Sequence, residues 1–337
     1  MKAVAYFESL AIDDPRALQD VELPEPVPGP RDLLVEVRAI SVNPVDTKVR
    51  RNTQPEAGQP KVLGWDVAGV VVGVGREVSL FKVGDEVFYA GSIARAGGNS
   101  ERHLVDERIV GRKPQSLSFA EAAALPLTAI TAWELLFERL QLVEGHGAGQ
   151  QLLIVGAAGG VGSIMLQLAR QLTEVSVIAT ASRPETQAWA RELGAHHVID
   201  HSQPLHAELQ RAGFASVSHV ASLTQTDQHF DQLVEALTPQ GRLALIDDPA
   251  QPLDVMKLKR KSLSLHWELM FTRSLFETPD MVEQHHLLQR VSQLVDQGVL
   301  RTTLGEHFGT INAANLRRAH ALLESGKAKG KIVLEGF

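Results

Sequence analysis

From Leu152 to Gly162 the chain reads Leu-Leu-Ile-Val-Gly-Ala-Ala-Gly-Gly-Val-Gly. A short apolar run enters a glycine cluster, and a helical pattern from Ser163 to Leu172 follows at once. Strand, tight turn and helix in that order make a seat for a dinucleotide pyrophosphate. Small residues let the backbone approach the phosphates, and a helix N-terminus supplies unpaired N–H groups and partial positive charge. The turn residues are Gly156, Ala157, Gly159, Gly160, Val161 and Gly162, with Ala157 in the place of a glycine. The next strand should end near the adenosine ribose, about 20 residues on, where a carboxylate selects NAD. Here the strand ends Thr180-Ala181-Ser182-Arg183, without an acid. Ser182 can donate to an added phosphate and Arg183 can pair with it through charge-assisted bonds. The rival reading makes Arg183 a solvated turn residue before Pro184. The missing acid and the present base agree, and together they point to NADPH.

The elements that must position these residues follow from the pattern. Lys2 to Phe7, Leu33 to Val42, Val67 to Val74 and Gly84 to Tyr89 read as short strands with Gly and Pro turns, as in a small barrel or sandwich. Phe119 to Leu125 and Thr128 to Leu140 read as helical, interrupted at Pro126. Strands are expected at Gln151–Val155, Ser176–Ala181, His197–Asp200, Val217–Leu223, Gly241–Asp247 and Ser262–Leu269. Helices are expected between them at Ser163–Leu172, Glu185–Leu193 and Asp227–Leu237. Alternation of this kind predicts an α/β chain with a Rossmann-type, doubly wound parallel six-stranded sheet. Two further helices, His286 to Asp296 and Ala313 to Glu324, precede a closing strand at Lys331 to Glu335.

Bulk composition excludes several classes. The 337 residues are enough for two domains, and an apolar content of 44% can fill their cores. A formal charge of −7 argues against a nucleic-acid surface or an anionic membrane as partner. No secretory leader or membrane-spanning run is read, and cysteine is absent, which together predict a cytoplasmic protein. Without cysteine there are no disulfides, thiolate metal sites or cysteine nucleophiles. The thirteen histidines include the cluster His196, His197 and His201 beside Asp200, but no zinc-type spacing.

The whole chain resembles the medium-chain dehydrogenase/reductase superfamily. Ser41-Val42-Asn43-Pro44-Val45-Asp46 and the glycine turn are similar to its quinone-oxidoreductase branch. Leu125 to Glu134, Ser182 to Thr186 and Leu265 to Phe271 are similar to a bacterial subgroup labelled zinc-type alcohol dehydrogenase-like. The resemblance implies a discontinuous GroES-like β-barrel catalytic domain, residues 1–125 and 270–337, and a Rossmann domain at 126–269. It also implies where a catalytic zinc would sit, and there the chain departs from the family. Asn43 stands for the first Cys, Gly64-Trp65-Asp66 for Gly-His-Glu, and no second Cys exists. No zinc is expected. Without that electrophile the fitting acceptor is already electrophilic, a small quinone or α,β-unsaturated carbonyl.

Roles carried over by the resemblance are these. Asn43 would hydrogen-bond the acceptor oxygen or only hold the turn before Pro44. Asp46 would organise that turn or contact the nicotinamide ribose. Trp65 would stack on a planar quinone or pack as core, with Asp66 beside it. Thr128 would contact the cofactor or cap a helix. Trp267 and Phe271 would border the nicotinamide pocket or pack at an interface. Lys331 would reach the cofactor phosphates or lie exposed. Tyr89 is the one candidate proton donor, with no geometry to fix it. The superfamily habit of pairing through the last Rossmann strand implies a homodimer. Rival readings are an alcohol dehydrogenase with a nonstandard metal site and an NADPH-binding sensor with little turnover.

Overall fold

The computed structural model describes residues 1–337, which divide into two compact units. The first joins Met1–Ile130 to Phe271–Phe337, and the second is Thr131–Met270.

The first unit is built mostly from antiparallel strands. They are β1 (Lys2–Tyr6), β2 (Gln19–Glu22), β3 (Asp32–Val42), β4 (Lys61–Val62), β5 (Val67–Val74), β6 (Glu86–Tyr89), β7 (Arg102–Asp106) and β8 (Val110–Arg112). Three helices accompany them: α1 (Pro44–Asn52), α2 (Phe119–Ala123) and α3 (Pro126–Trp133). Long β3 is the spine. Its Leu33, Val35, Val37, Ala39 and Ile40 are buried, and it pairs with both β5 and β7. Gly69 on β5 lies against the Glu36 carbonyl, where an added Cβ would come within 2.2 Å. That close approach explains the glycine inside a Val-rich strand.

The second unit opens at Thr131 with the end of α3, which a π-turn, Glu134–Arg139, prolongs. A parallel sheet follows from β9 (Gln151–Val155), β10 (Ser176–Thr180), β11 (His197–Ile199), β12 (Val217–Ser222), β13 (Leu237–Leu245) and β14 (Ser264–Trp267). Its helices are α4 (Gly160–Leu172), α5 (Pro184–Glu192), α6 (Leu205–Arg211) and α7 (Thr226–Ala236). Strand order β11-β10-β9-β12-β13-β14 is the doubly wound arrangement expected, with its order reversing at β9 and β12. Leu153, Val155, Ile178, Val220, Leu243 and Leu245 fill its core. Truncating one of its leucines or Ile178 to Ala should cost about 2–5 kcal/mol.

The chain then returns to the first unit as α8 (Thr272–Leu275), α9 (Glu283–Asp296), β15 (Leu304–His307), α10 (Ala313–Glu324) and β16 (Lys331–Glu335). Strand β16 pairs antiparallel with β3, completing the order β15-β16-β3-β5-β6-β8. The GroES-like and Rossmann architecture is therefore present.

Several boundaries differ from expectation. Helix α4 begins at Gly160, one turn before Ser163, because Gly159 caps it in extended conformation. Strand β13 starts at Leu237 rather than Gly241, and α6 and β15 were not expected at all. The reading that no run approaches a membrane span is also corrected. Phe119–Arg139 is 21 residues with mean hydropathy 1.2, but 83% of its apolar window is buried and the helix breaks before Pro126.

Candidate functional site

Two polar centres stand out, one in each unit. In the second unit the glycine turn leaves β9 with Gly156 at φ +80°, and its N–H donates to Thr180 Oγ1 at 3.2 Å. Gly160, Val161 and Gly162 form the first turn of α4, whose N–H groups have no partner within the helix. Gly162 is irreplaceable for packing, since a Cβ there would lie 2.4 Å from the Ala157 carbonyl oxygen. Ala157 is itself fully buried beneath the turn. No carboxylate lies in this turn or in the first turn of α4.

Beyond Thr180 the chain runs through Ala181 to exposed Ser182 and to Arg183, the N-cap of α5. The Arg183 carbonyl accepts from Thr186 and Gln187, so the cap backbone is fixed. Its guanidinium lies 3.3 Å from Glu185, both side chains being half-exposed. An exposed pair of that kind is worth about 0–1 kcal/mol and yields readily to a phosphate. Trp267, expected at the nicotinamide, ends β14 and is 52% exposed.

The first unit holds the other centre. Asn43, Asp46, Asp66 and Lys331 meet there, all buried. Asn43 caps α1, and Asp46, three residues on, closes a capping box by accepting from the Asn43 N–H at 2.7 Å. The other Asp46 oxygen accepts from the Gly64 N–H at 2.9 Å, and Gly64 has φ +108°. Asp66 accepts from Asn43 Nδ2 at 2.8 Å, Lys331 Nζ at 2.9 Å and the Leu127 N–H at 2.8 Å. Lys331 also donates to Asn43 Oδ1 and, at 3.1 Å, to the Val42 carbonyl.

Burial pushes the Asp66 carboxyl up, opposed chiefly by Lys331. Three N–H donors and no acceptor surround it, which fixes it as the carboxylate. Asp46 is pushed up to about 7 by burial, opposed by its backbone donors and Lys331.

This cluster revises several carried-over roles. Lys331 is neither exposed nor available to phosphate: it is 3% exposed and its three donors are committed. Trp65 is wholly buried, with Nε1 donating to the Ser92 carbonyl at 3.1 Å and its ring edge-on to Phe271 at 6.2 Å. It is core and offers no face for stacking. Thr128, the third residue of α3, is 2% exposed and its hydroxyl donates to the Leu125 carbonyl at 3.0 Å, so it does not cap the helix N–H groups. Tyr89 bonds buried His103 Nδ1 at 2.9 Å. Burial raises the tyrosine well above its ordinary value and lowers the histidine to about 4. The tyrosine therefore holds its proton tightly and the histidine is already neutral, so neither offers an acidic proton near neutral pH.

Nor do these residues fit zinc. Zinc takes several Cys, His or carboxylate donors, commonly three in a catalytic site. Here the position carries an amide and a carboxylate already bridged by the Lys331 ammonium. The cation is supplied by the chain. Elsewhere, His196 instead bonds Arg170 and the Val177 N–H, and His197 packs on Phe214.

Sequence reasoning found the members of the cluster but not their connection. It also missed the Leu127 N–H, whose position at the start of α3 after Pro126 was the available signal.

Comparison with known proteins bears on both centres. Residues 29–132 match the alcohol dehydrogenase GroES-like domain and 193–334 the zinc-binding dehydrogenase family. A zinc-type alcohol dehydrogenase-like protein of Staphylococcus aureus is 36% identical over 99% of both chains. A solved Rhizobium etli structure, described among zinc-dependent alcohol dehydrogenases, is 59% identical with TM-score 0.96. It covers 100% of this chain and 98% of its own. Escherichia coli quinone oxidoreductase, solved in complex with NADPH, is 25% identical with TM-score 0.85. It covers 99% of this chain and 100% of its own.

Proposed function

The chain belongs to the medium-chain dehydrogenase/reductase superfamily and is an oxidoreductase of that type, and from that premise we propose an NADPH-dependent reductase of quinones or α,β-unsaturated carbonyls that works without zinc. The observation that carries this reading is the Asn43–Asp66–Lys331 network at the position where relatives are named for a metal. An amide and a carboxylate bridged by the Lys331 ammonium are a poor seat for a Lewis acid, and without one an unactivated alcohol would lack its electrophilic partner. A conjugated carbonyl or quinone needs none to accept a hydride.

The residues fit the cofactor. The N–H groups of Gly160, Val161 and Gly162 would hold its pyrophosphate, while Ser182 and Arg183 would take the ribose phosphate. When bound, NADPH supplies the hydride. Asp46 holds Gly64 and the Asn43 turn, and Asp66 holds Leu127 at the start of α3. Together they fix the loops around the cluster, and solvent supplies the proton that balances the reduction.

Oxidation of NADPH and NADH by purified protein against small quinones and enones, with and without chelator, tests the reading. Chelator-insensitive turnover favouring NADPH is expected. Chelator-sensitive turnover of alcohols would overturn it. We further propose a homodimer through β14. That strand is an edge, paired only with β13, and Trp267 and Leu269 at its end are 52% and 53% exposed. Light scattering gives the mass directly.

A further inference from the structure

The crevice beside the glycine turn has a second wall that nothing above uses. Strand β9 lies between β10 and β12, and the strand order reverses at β9 and β12. Dinucleotides lie across such a reversal, with one mononucleotide on each half of the sheet. On the cofactor reading above, Ser182 and Arg183 after β10 give the adenosine half to that side. The loop after β12, Leu223 to Gln225, then falls to the nicotinamide half. Two observations press this loop onto the turn. The Leu223 N–H donates to the Val155 carbonyl at 3.1 Å, and a Cβ on Gly156 would come within 2.9 Å of Thr224 Cγ2. Thr224 and Gln225 are exposed, yet their backbone is held at both ends.

Gln225 is left-handed, with φ 53° and ψ 36°. That conformation is costly for a residue other than glycine and persists only where the surroundings over-determine it. Gln225 is also the N-cap of α7, and its side chain makes no cap bond. The cap comes from another strand. Asp247, just past the carboxyl end of β13, accepts from the Thr226 N–H at 2.9 Å and from Thr226 Oγ1 at 2.5 Å. A carboxylate only accepts, so the single Thr226 hydroxyl proton points at Asp247 and Ser222 donates to Thr226 Oγ1, at 2.7 Å. Ser222 and Thr226 are wholly buried. The relay from Ser222 through Thr226 to Asp247 therefore ties the end of β12 to the start of α7 and the end of β13. It also sorts charge. Helices α4 and α7 both begin beside the reversal. The first turn of α4 holds no acid, whereas α7 has Asp227 in its first turn and Asp247 on its first N–H. Acids at a helix start repel a phosphate there.

We propose that Asp247, acting through Thr226, holds the loop from Leu223 to Gln225 as the nicotinamide-side wall of the cofactor site and leaves α4 as the seat of the pyrophosphate. The inference rests on the cofactor reading above and adds the residues that set its second half; Asp247 and Thr226 are positioning residues. Without the relay nothing past the loop holds Gln225 in its costly conformation, and the loop no longer presents one preformed surface. A preformed surface binds more tightly because its ordering is complete before the ligand arrives. A ligand confined to the adenosine half does not meet this wall. NADPH and NADH meet it equally, because the phosphate that distinguishes them lies on the other side of the crevice.

The test uses the full chain and the dissociation constants of NADPH, NADH and adenosine 2′,5′-bisphosphate, which carries the phosphorylated adenosine half and no nicotinamide. Asp247→Ala and Thr226→Val should each weaken NADPH and NADH by about tenfold and leave the bisphosphate within about twofold of wild type. Thr226→Ser keeps the hydroxyl and should bind all three within about threefold of wild type. Retained bisphosphate binding also shows that a variant is folded. NADPH affinity within about twofold of wild type in both Asp247→Ala and Thr226→Val overturns the proposal. So does equal loss of all three ligands in Thr226→Val, which makes the relay general scaffold, and so does a Thr226→Ser variant as weak as Thr226→Val. Failure of the wild-type protein to bind NADPH overturns the cofactor reading and the proposal with it. Wild-type binding that the variants leave unchanged overturns the proposal alone.

Discussion

The glycine turn and the Asn43 cluster both manage charge, and they do so in opposite ways. At the turn the backbone ends in donors that α4 itself leaves unspent, its first N–H groups, and beyond it lie exposed Ser182 and Arg183, whose guanidinium lies 3.3 Å from the half-exposed Glu185. In the cluster every donor is consumed. Lys331 has three acceptors, Asp66 three donors, and the Asn43 amide is used at both ends. A region built to receive a ligand leaves groups open until the ligand arrives. A region built as scaffold satisfies them internally, since buried unpaired groups cost about 1–3 kcal/mol each. In the proposed reading the turn binds the cofactor and the cluster holds loops in place.

The largest expected effect would break the scaffold half. Lys331→Met leaves the Asp66 charge buried without its cation, which should cost about 3–5 kcal/mol in denaturant unfolding. Combining it with Asp66→Asn should recover part of the loss. A loss below about 1 kcal/mol for Lys331→Met would mean that the cluster is hydrated and open, and the contrast with the turn would fail.

Next comes the pH dependence of the same cluster. Asp46 is held near 7 when folded, against an ordinary carboxyl near 3.8 when unfolded. The folded state therefore keeps a proton that the unfolded chain has lost, and stability falls as pH rises across that window, then levels above about 7. The full span corresponds to about 4 kcal/mol. Buried His103 and His320, held down to about 4 and about 3, act in the opposite direction over part of the range. The signal is thus the difference between wild type and Asp46→Asn, read as unfolding free energy at each pH. The variant should gain relative to wild type up to neutrality and run parallel beyond it. Parallel curves throughout would show that Asp46 is ionised in the fold.

The binding half is tested by Arg183→Ala. Removal of a charge-assisted contact should weaken NADPH by about 10- to 100-fold and leave NADH within about twofold. Equal losses for both cofactors would show that Arg183 only caps α5.

The two centres were unequally legible in the sequence. The turn's members lie within a few residues of each other, and backbone geometry alone dictates glycine there, so the motif and its strand–helix setting could be read together. The parallel sheet followed from the same local periodicity. The cluster joins Asn43 and Asp66 to Lys331, 288 and 265 residues away. No local pattern brings them together; the antiparallel pairing of β16 with β3 does so, placing Lys331 beside Val42 and Asn43. Trp65 stayed open between stacking and core packing for a related reason. An aromatic in a motif position reads as a stacking platform, and only the packing of Phe271 and the Ser92 carbonyl shows it is enclosed. Short elements such as α6, seven residues long, carried too little periodicity to be read.

The smallest predicted effect compares like with like, because each centre contains one ion pair. Lys331–Asp66 is buried at 2.9 Å, and Arg183–Glu185 is half-exposed at 3.3 Å. Water already solvates the second pair, so removing one partner exposes no uncompensated charge. Glu185→Gln should leave unfolding free energy within about 0.5 kcal/mol. It should also release the Arg183 guanidinium, strengthening NADPH by about two- to fivefold with NADH unchanged. Arginine restrained by a carboxylate it can abandon is poised for a phosphate; one that Glu185 holds firmly is not. Weaker NADPH binding in Glu185→Gln would show that Glu185 orients Arg183 rather than competing for it. The surface pair would then be part of the binding site, and the sharp division between open turn and closed cluster would have to be redrawn at α5.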